Sequence, residues 1–240
     1  PVVAYEILPP REKDGTLNTY AETISSLLSQ THIDAINIPE VHDEIGRGER
    51  PVSNQERGEP RKFGMLLQDV VGIEAIINRV VVHIPLKNQM EWFQETYHKY
   101  EIDNLIIVGG ESSKQKYPGP TVNESLEKIS EGNRQGKNSI LCGGICIPSR
   151  KRESKNLIKK SKCGAEFFTT QVLCDSSNII KMIKNYQERC DKVNTFPRRI
   201  LLSFAPVSSQ KNIDFLKWLG VEIPKDTERY LNGRPGSMTE

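Results

Sequence analysis

Seven short runs of mainly β-branched and other apolar residues punctuate the chain: Val2–Glu6, Ala35–Ile38, Val80–Ile84, Leu105–Val108, Ser139–Gly143, Ala165–Thr169 and Ile200–Phe204. Stretches long enough to hold a helix separate them, and this alternation limits the available folds more than any other feature. The runs are almost unbroken in apolar character, as expected of strands covered on both faces. Between them, apolar residues recur at three- and four-residue steps, as in Leu66, Val70, Ile73 and Ile77, and again in Ile179, Ile180, Ile183 and Tyr186. That spacing predicts helices packed on a sheet. Asn88 with Glu91 and Thr121 with Glu124 have the spacing of reciprocal N-terminal caps. The pattern predicts parallel βα units and an α/β fold, a TIM-type (β/α)8 barrel that lacks or does not include its last βα unit. A doubly wound sheet is the alternative, but the G-x-G-x-x-G of a dinucleotide turn is missing after the first strand, which runs instead into LPPR.

A chain of 240 residues accommodates one such domain, expected over residues 1–231, with 232–240 as a polar tail. The count is one strand short, so the barrel closes unusually, a partner subunit or second copy supplies the last unit, or the natural C-terminus lies further on. Pro39–Lys62 is rich in Glu, Arg, Gly, Asn and Pro, has no apolar period, and reads as a long loop after the second strand, where a barrel carries its active-site covers. Hydrophobic residues make up 36% and charged residues 27%, too apolar for a disordered chain. Basic and acidic side chains, 33 against 31, leave +2, which excludes the strong basic field that gathers nucleic acid or an anionic membrane. Without a bilayer-length apolar run or the residue order of a signal peptide, the expectation is a soluble, cytoplasmic protein. The five cysteines are expected to be reduced. Cys142 and Cys146 stand four apart, but no second pair at ligand spacing accompanies them, so they read as small buried residues and no metal site is expected.

In a parallel barrel the acting residues stand at the C-terminal strand ends. Those positions hold Glu6, Glu40, His83 within the third strand, Glu111, Gln171 and Ser208. Glu6, in VVAYEILPP, has apolar neighbours on both sides; desolvation there raises a carboxyl pKa and suits it to general-acid work near neutral pH. The same residue paired with a strand-end Lys or Arg would be structural. His83 in VVVHIP is a lone strand histidine, more often a hydrogen-bonded core group than a catalyst. Gly109 and Gly110 allow close backbone approach to a ligand or simply a tight turn. The basic runs Arg150–Arg152 and Lys159–Lys162 read as solvated faces, from which one lysine could reach a ligand phosphate or carboxylate.

Taken in order, these residues resemble the methylenetetrahydrofolate reductase family. VAYEILPPR is similar to that family's opening block, VVHIPLKN to its third-strand histidine block, LIIVGGE to the strand ending in RGD, CGAEFFTTQVLCD to its GA-TQ-D block, and SFAPVSS with LGVEIP to its closing blocks. Order and spacing agree over about residues 2–231. The resemblance implies a barrel that reduces 5,10-methylenetetrahydrofolate to the 5-methyl form with hydride from reduced FAD, recharged by NAD(P)H. It places Glu6 on the general acid that promotes opening of the folate's five-membered ring, Gln171 on a folate contact and Glu111 on the aspartate facing pterin and flavin. It places His83, Lys160, Gly109 and Gly110 at the cofactor.

Three positions depart from the family pattern. Ile38 stands for a flavin-bonding threonine, Gly109 for the arginine of RGD, and Ile145 for a flavin-contacting tyrosine. A nicotinamide or deazaflavin donor is therefore an alternative to FAD, and a methanopterin-like pterin an alternative to folate. Two further readings belong to other classes: a catalytically silent folate-binding subunit, and a pterin barrel that hands a methyl group to a partner protein.

Overall fold

In the computed structural model, which describes residues 2–42, 50–52, 55–110 and 115–233, seven strands alternate with eight α-helices among the described residues. The strands are β1 (Ala4–Glu6), β2 (Ala35–Pro39), β3 (Glu74–Val80), β4 (Asn104–Val108), β5 (Leu141–Cys146), β6 (Phe167–Val172) and β7 (Arg199–Ser203). The helices are α1 (Leu17–Leu28), α2 (Pro60–Val71), α3 (Leu86–Tyr100), α4 (Val122–Arg134), α5 (Glu153–Lys162), α6 (Ser177–Lys192), α7 (Gln210–Trp218) and α8 (Lys225–Gly233). The result is a parallel α/β fold of TIM-like type. It divides into two compact units: Pro1–Asp43, Gln55–Gly144 and Lys162–Glu166 form one, and Glu44–Asn54, Ile145–Ser161 and Phe167–Glu240 the other.

In the first unit strand order is chain order, β1 to β5, every pair parallel. Register sets Glu6 beside Asn37, Ile36 beside Ala75, Ile38 beside Ile77 and Pro39 beside Asn78. Because side chains alternate across a strand, Ile36, Ile38, Ala75 and Ile77 share one face, and Glu6, Asn37 and Asn78 share the other. The first face carries the helices. A Cβ at Gly64 of α2 would stand 3.2 Å from both Ala75 Cβ and Ile77 Cδ1, and 3.0 Å from Ile102 Cδ1, so helix and sheet approach there as closely as a glycine permits. Phe63 and Leu67 of α2 and Ile36, Ile38, Ile77, Leu105 and Ile107 of the strands are wholly buried.

In the second unit β6 pairs with β7 in parallel, and α6 presents a buried stripe of Ile179, Met182, Tyr186 and Cys190. Ile180 and Ile183, expected on that face, are instead exposed. The four-residue steps run through Met182, whose flexible side chain fills the position. A second apolar cluster joins Val207, Ile213, Leu216, Val221 and Leu231. Leu231 lies in α8, a helix over a segment that reads as polar and whose last residues, Asn232 and Gly233, overlap the expected tail. The rest of that tail lies outside the described residues.

The largest departure from the sequence reading is the third strand. The expected Val80–Ile84 begins where the observed strand ends, and Val81–His83 is a 3-10 turn. The expected helix through Ile73 and Ile77 stops at Val71, because Gly72 adopts the left-handed conformation (φ 70°) that closes a helix C-terminus. The valine run imitates a strand, whereas EAIINRV, interrupted by Asn78 and Arg79, is the one that pairs. The cap at Asn88 is also absent: α3 starts after Pro85, so Asn88 lies within the helix. Thr121 and Glu124 do form the reciprocal cap of α4. The loop after β2 ends sooner than expected, at Glu59, whose carboxylate accepts from the Lys62 amide and caps α2.

Gly64→Val forces a branched side chain against Ile102, Ala75 and Ile77. We expect a loss of about 1–3 kcal/mol, read as a lower urea midpoint with an unchanged m value.

Candidate functional site

The two strand-end carboxylates of the first unit sit in opposite environments. Glu40 follows β2, and its oxygens accept from the Arg79 guanidinium and, at 2.9 Å, from the Val80 amide, while His42 Nε2 lies 3.2 Å away. Burial opposes ionisation of Glu40, but the His42 contact, the Arg79 charge and the Val80 amide together outweigh it and hold the carboxyl below its ordinary value. Arg79 also donates to Gln89 Oε1 at 3.2 Å, and its guanidinium stacks 4.4 Å from the Trp92 ring, which Arg61 covers at 4.6 Å. Glu40 is thus a structural clamp across β2, β3 and α3.

Glu6 ends β1. Its Oε2 accepts from Asn37 Nδ2 at 2.7 Å, and among the described residues no cation pairs with it. Burial of the carboxyl raises its pKa, with the Asn37 hydrogen bond pulling the other way. The residue as a whole is exposed, so water reaches it and limits the shift. The expected direction is therefore met, and a neutral amide takes the place of the pairing cation that would have made Glu6 structural.

His83 is not a strand residue: it closes the 3-10 turn after β3, its ring 4.7 Å from that of His42 and edge-on to Tyr117 at 5.8 Å. Gly109 and Gly110 follow β4, and the space a side chain would take at Gly110 is filled by the Tyr117 ring. Glu111 lies outside the described residues. The described part of the loop after β2 is tied down rather than free: Arg57 Nη1 donates to Pro9 O at 2.8 Å and Gly58 N to Pro10 O at 3.0 Å. Residues 43–49 and 53–54 of the expected lid lie outside the description.

In the second unit Gln171 of β6 donates from Nε2 to Leu219 O at 2.8 Å. Its Oε1 carries no hydrogen bond among the described residues. Lys160 of α5 donates to Ile145 O at 2.5 Å and lies 3.8 Å from Glu153 Oε1. Burial lowers its pKa, the Glu153 charge opposing. Ser208 donates from Oγ to Asn212 Oδ1 at 3.0 Å, a turn contact ahead of α7. Cys142 and Cys146 are buried within β5, where burial pushes the Cys146 thiol up to about 12.

The positions that the family resemblance assigns to FAD do not fit that cofactor. Ile38 is wholly buried and offers no polar atom, Tyr117 fills the space at Gly110 while Val122 stands against Gly109, and Lys160 commits its charge to a backbone carbonyl and Glu153.

Two polar groups escaped the sequence reading. Asn37 and Asn78 lie on the Glu6 face, and the Oδ1 of each is buried without a hydrogen-bond partner among the described residues. An asparagine inside a strand, where its propensity is low, is the signal that marks them.

No protein-family model matches the sequence, and a search of curated proteins finds no match. Solved structures do resemble it. A protein from Clostridium thermocellum, described as binding two copies of 5-methyl-5,6,7,8-tetrahydrofolic acid, is 21% identical, with a TM-score of 0.74 over 97% of this chain and 75% of its own. A protein from Aquifex aeolicus VF5 is 12% identical, with a TM-score of 0.55 over 87% of this chain and 76% of its own. An oxaloacetate acetylhydrolase is 8% identical, with a TM-score of 0.50 over 97% of this chain and 81% of its own. The likeness is one of fold. No helix among the described residues is long and apolar enough to cross a membrane.

The lowered pKa of Glu40 sets a pH dependence. Its stabilisation is complete above the ordinary carboxylate pKa of 4.5 and is lost as pH falls through the lower folded value. Glu40→Gln leaves Arg79 without its anion and should cost about 3–5 kcal/mol at neutral pH. In urea titrations the gap from wild type should close in acid. Equal midpoints at neutral pH would show that the clamp contributes nothing.

Proposed function

We propose that this chain binds a reduced folate or a related pterin, with Glu6 as the acid that faces the pterin. The observation that carries the reading is the Glu6 carboxyl itself: it stands at the C-terminal end of a parallel strand, raised in pKa by burial and held by a neutral amide rather than a cation. Such a group keeps a transferable proton closer to neutral pH than an ordinary carboxylate does. The EILPPR and GAEFFTTQ blocks support a folate site, and so does the likeness of fold to a protein that binds 5-methyltetrahydrofolate.

The reading extends to reduction of 5,10-methylenetetrahydrofolate, because 5-methyltetrahydrofolate is the product of that reaction. Protonation of the ring nitrogen by Glu6 would favour opening of the five-membered ring to the iminium that accepts hydride. The poor fit of FAD makes a nicotinamide or deazaflavin the fitting donor class. The same poor fit favours a second reading, a folate-binding protein that performs no redox step.

Glu6→Gln preserves size and hydrogen bonding but removes the proton. Calorimetric binding of 5-methyltetrahydrofolate should persist in the variant, while methylenetetrahydrofolate reduction falls by about 10²-fold or more. Reduction at the wild-type rate would remove Glu6 from the mechanism. Binding without any reduction in the wild type would establish the second reading, and no binding of either folate would overturn both.

A further inference from the structure

Glu6 and Asn37 are register partners on β1 and β2, and their side chains meet: Asn37 Nδ2 donates to Glu6 Oε2 at 2.7 Å. Among the described residues this is the one hydrogen bond of either side chain, and Asn37 Oδ1 is buried without a partner. Asparagine is a poor strand former. Neither strand propensity nor a wider hydrogen-bond network therefore accounts for an amide at this position, whereas the Glu6 carboxyl does. An ionised carboxylate only accepts, so the amide must present its NH2; a turned amide would set two acceptors against each other. When the carboxyl takes a proton, Oε2 keeps the amide N–H as the carbonyl oxygen, and Oε1 is the oxygen left to carry the O–H. An amide turned to accept from the acid would instead hold the proton back from any ligand.

We propose that Asn37 is the positioning residue of this acid: its N–H holds Oε2 and leaves Oε1 as the oxygen from which Glu6 hands its proton to the pterin. This rests on the reading of Glu6 as a proton donor and assigns its orientation to a second residue. In the transfer, the O–H bond at Oε1 breaks and an N–H bond forms on the ring nitrogen whose lone pair takes the proton. The carboxylate left behind keeps the Asn37 bond, now charge-assisted, until water returns a proton. Other charges do not perform that task. Burial and Asn37 are the two influences on Glu6 among the described residues, and Glu40, His42 and Arg79 on the neighbouring strands are gathered into the clamp. Since burial favours the acid and the amide favours the anion, loss of the amide must make Glu6 a weaker acid still.

The test follows the Glu6 carboxyl by NMR of isotope-labelled glutamate in the ligand-free full chain, its signal identified by its loss in Glu6→Gln. Asn37→Leu, close in size and unable to donate, should move the Glu6 titration up by about one pH unit, the difference between a hydrogen bond to a charged and to a neutral acceptor. Asn37→Asp, of the same shape with a carboxyl in place of the amide, should give two separated titration steps, the later one above the wild-type midpoint. Turnover supplies a readout that a change of acidity alone would not move. On the acid side of both midpoints, where Glu6 is protonated in either protein, Asn37→Leu should reduce methylenetetrahydrofolate about 10-fold more slowly at an unchanged KM, because the acid is present but no longer held in place. A Glu6 midpoint that stays or falls in Asn37→Leu, a single unshifted step in Asn37→Asp, or equal turnover on the acid plateau would each overturn the positioning role while leaving folate binding in place. Absence of reduction in the wild type would overturn the reading of Glu6 as proton donor, and the positioning role with it, even where both titrations come out as expected.

Discussion

Parallel pairing in register is the constraint on which the first unit rests. Each strand delivers its residues to its neighbours at fixed height, so Ile36 meets Ala75, Ile38 meets Ile77, and the helix-facing side becomes continuously apolar. The same register assigns every alternate residue to the other face, which collects Glu6, Asn37 and Asn78 toward the C-terminal ends. A slip of one residue would exchange the two sets, placing an acid and two amides against α2 and the isoleucines where a ligand is proposed to bind. The close approach at Gly64 helps forbid that slip, since the helix sits too near the sheet to receive anything larger than Ala75 and the end of Ile77.

Two carboxylates one strand apart show how environment divides roles. Glu40 has a guanidinium, a backbone amide and an imidazole around it, and these favour its anion against the cost of burial. Its charge is committed to holding β2, β3 and α3 together through Arg79, Gln89 and Trp92. Glu6 has one neutral donor, and burial wins. A buried ion pair adds little net stability but makes removal of either partner costly, so Glu40 suits a scaffold, whereas an acid with no counterion is free to exchange its proton with a ligand. The oxygens of Asn37 and Asn78, without a partner among the described residues, lie on the same face as Glu6. A buried acceptor without a partner carries a cost in the folded protein.

The second unit shows the opposite economy. Lys160, Ser208 and the amide nitrogen of Gln171 all find partners within it, so the residues that look most like ligand-binding cations and donors in the sequence are largely spoken for. Gln171 Oε1, without a hydrogen bond among the described residues, is the exception.

By itself the sequence determined the element types and their order, because β-branched runs and three-to-four periodicity are local properties that survive into the fold. It also determined the Thr121 and Glu124 cap, a four-residue interaction, and the direction of the Glu6 shift, which its flanking apolar residues foretell. Tertiary structure decided what depends on pairing. Whether Val80–Ile84 or Glu74–Val80 is the third strand turned on which run finds ladder partners in β2 and β4, and Gly72, by ending α2, released the earlier one. Whether Glu40 clamps or reacts turned on Arg79, thirty-nine residues away. The significance of Asn37 and Asn78 was invisible until register put them on one face beside Glu6, because an unsatisfied hydrogen bond is defined by every neighbour that fails to arrive, and a sequence does not list neighbours in space.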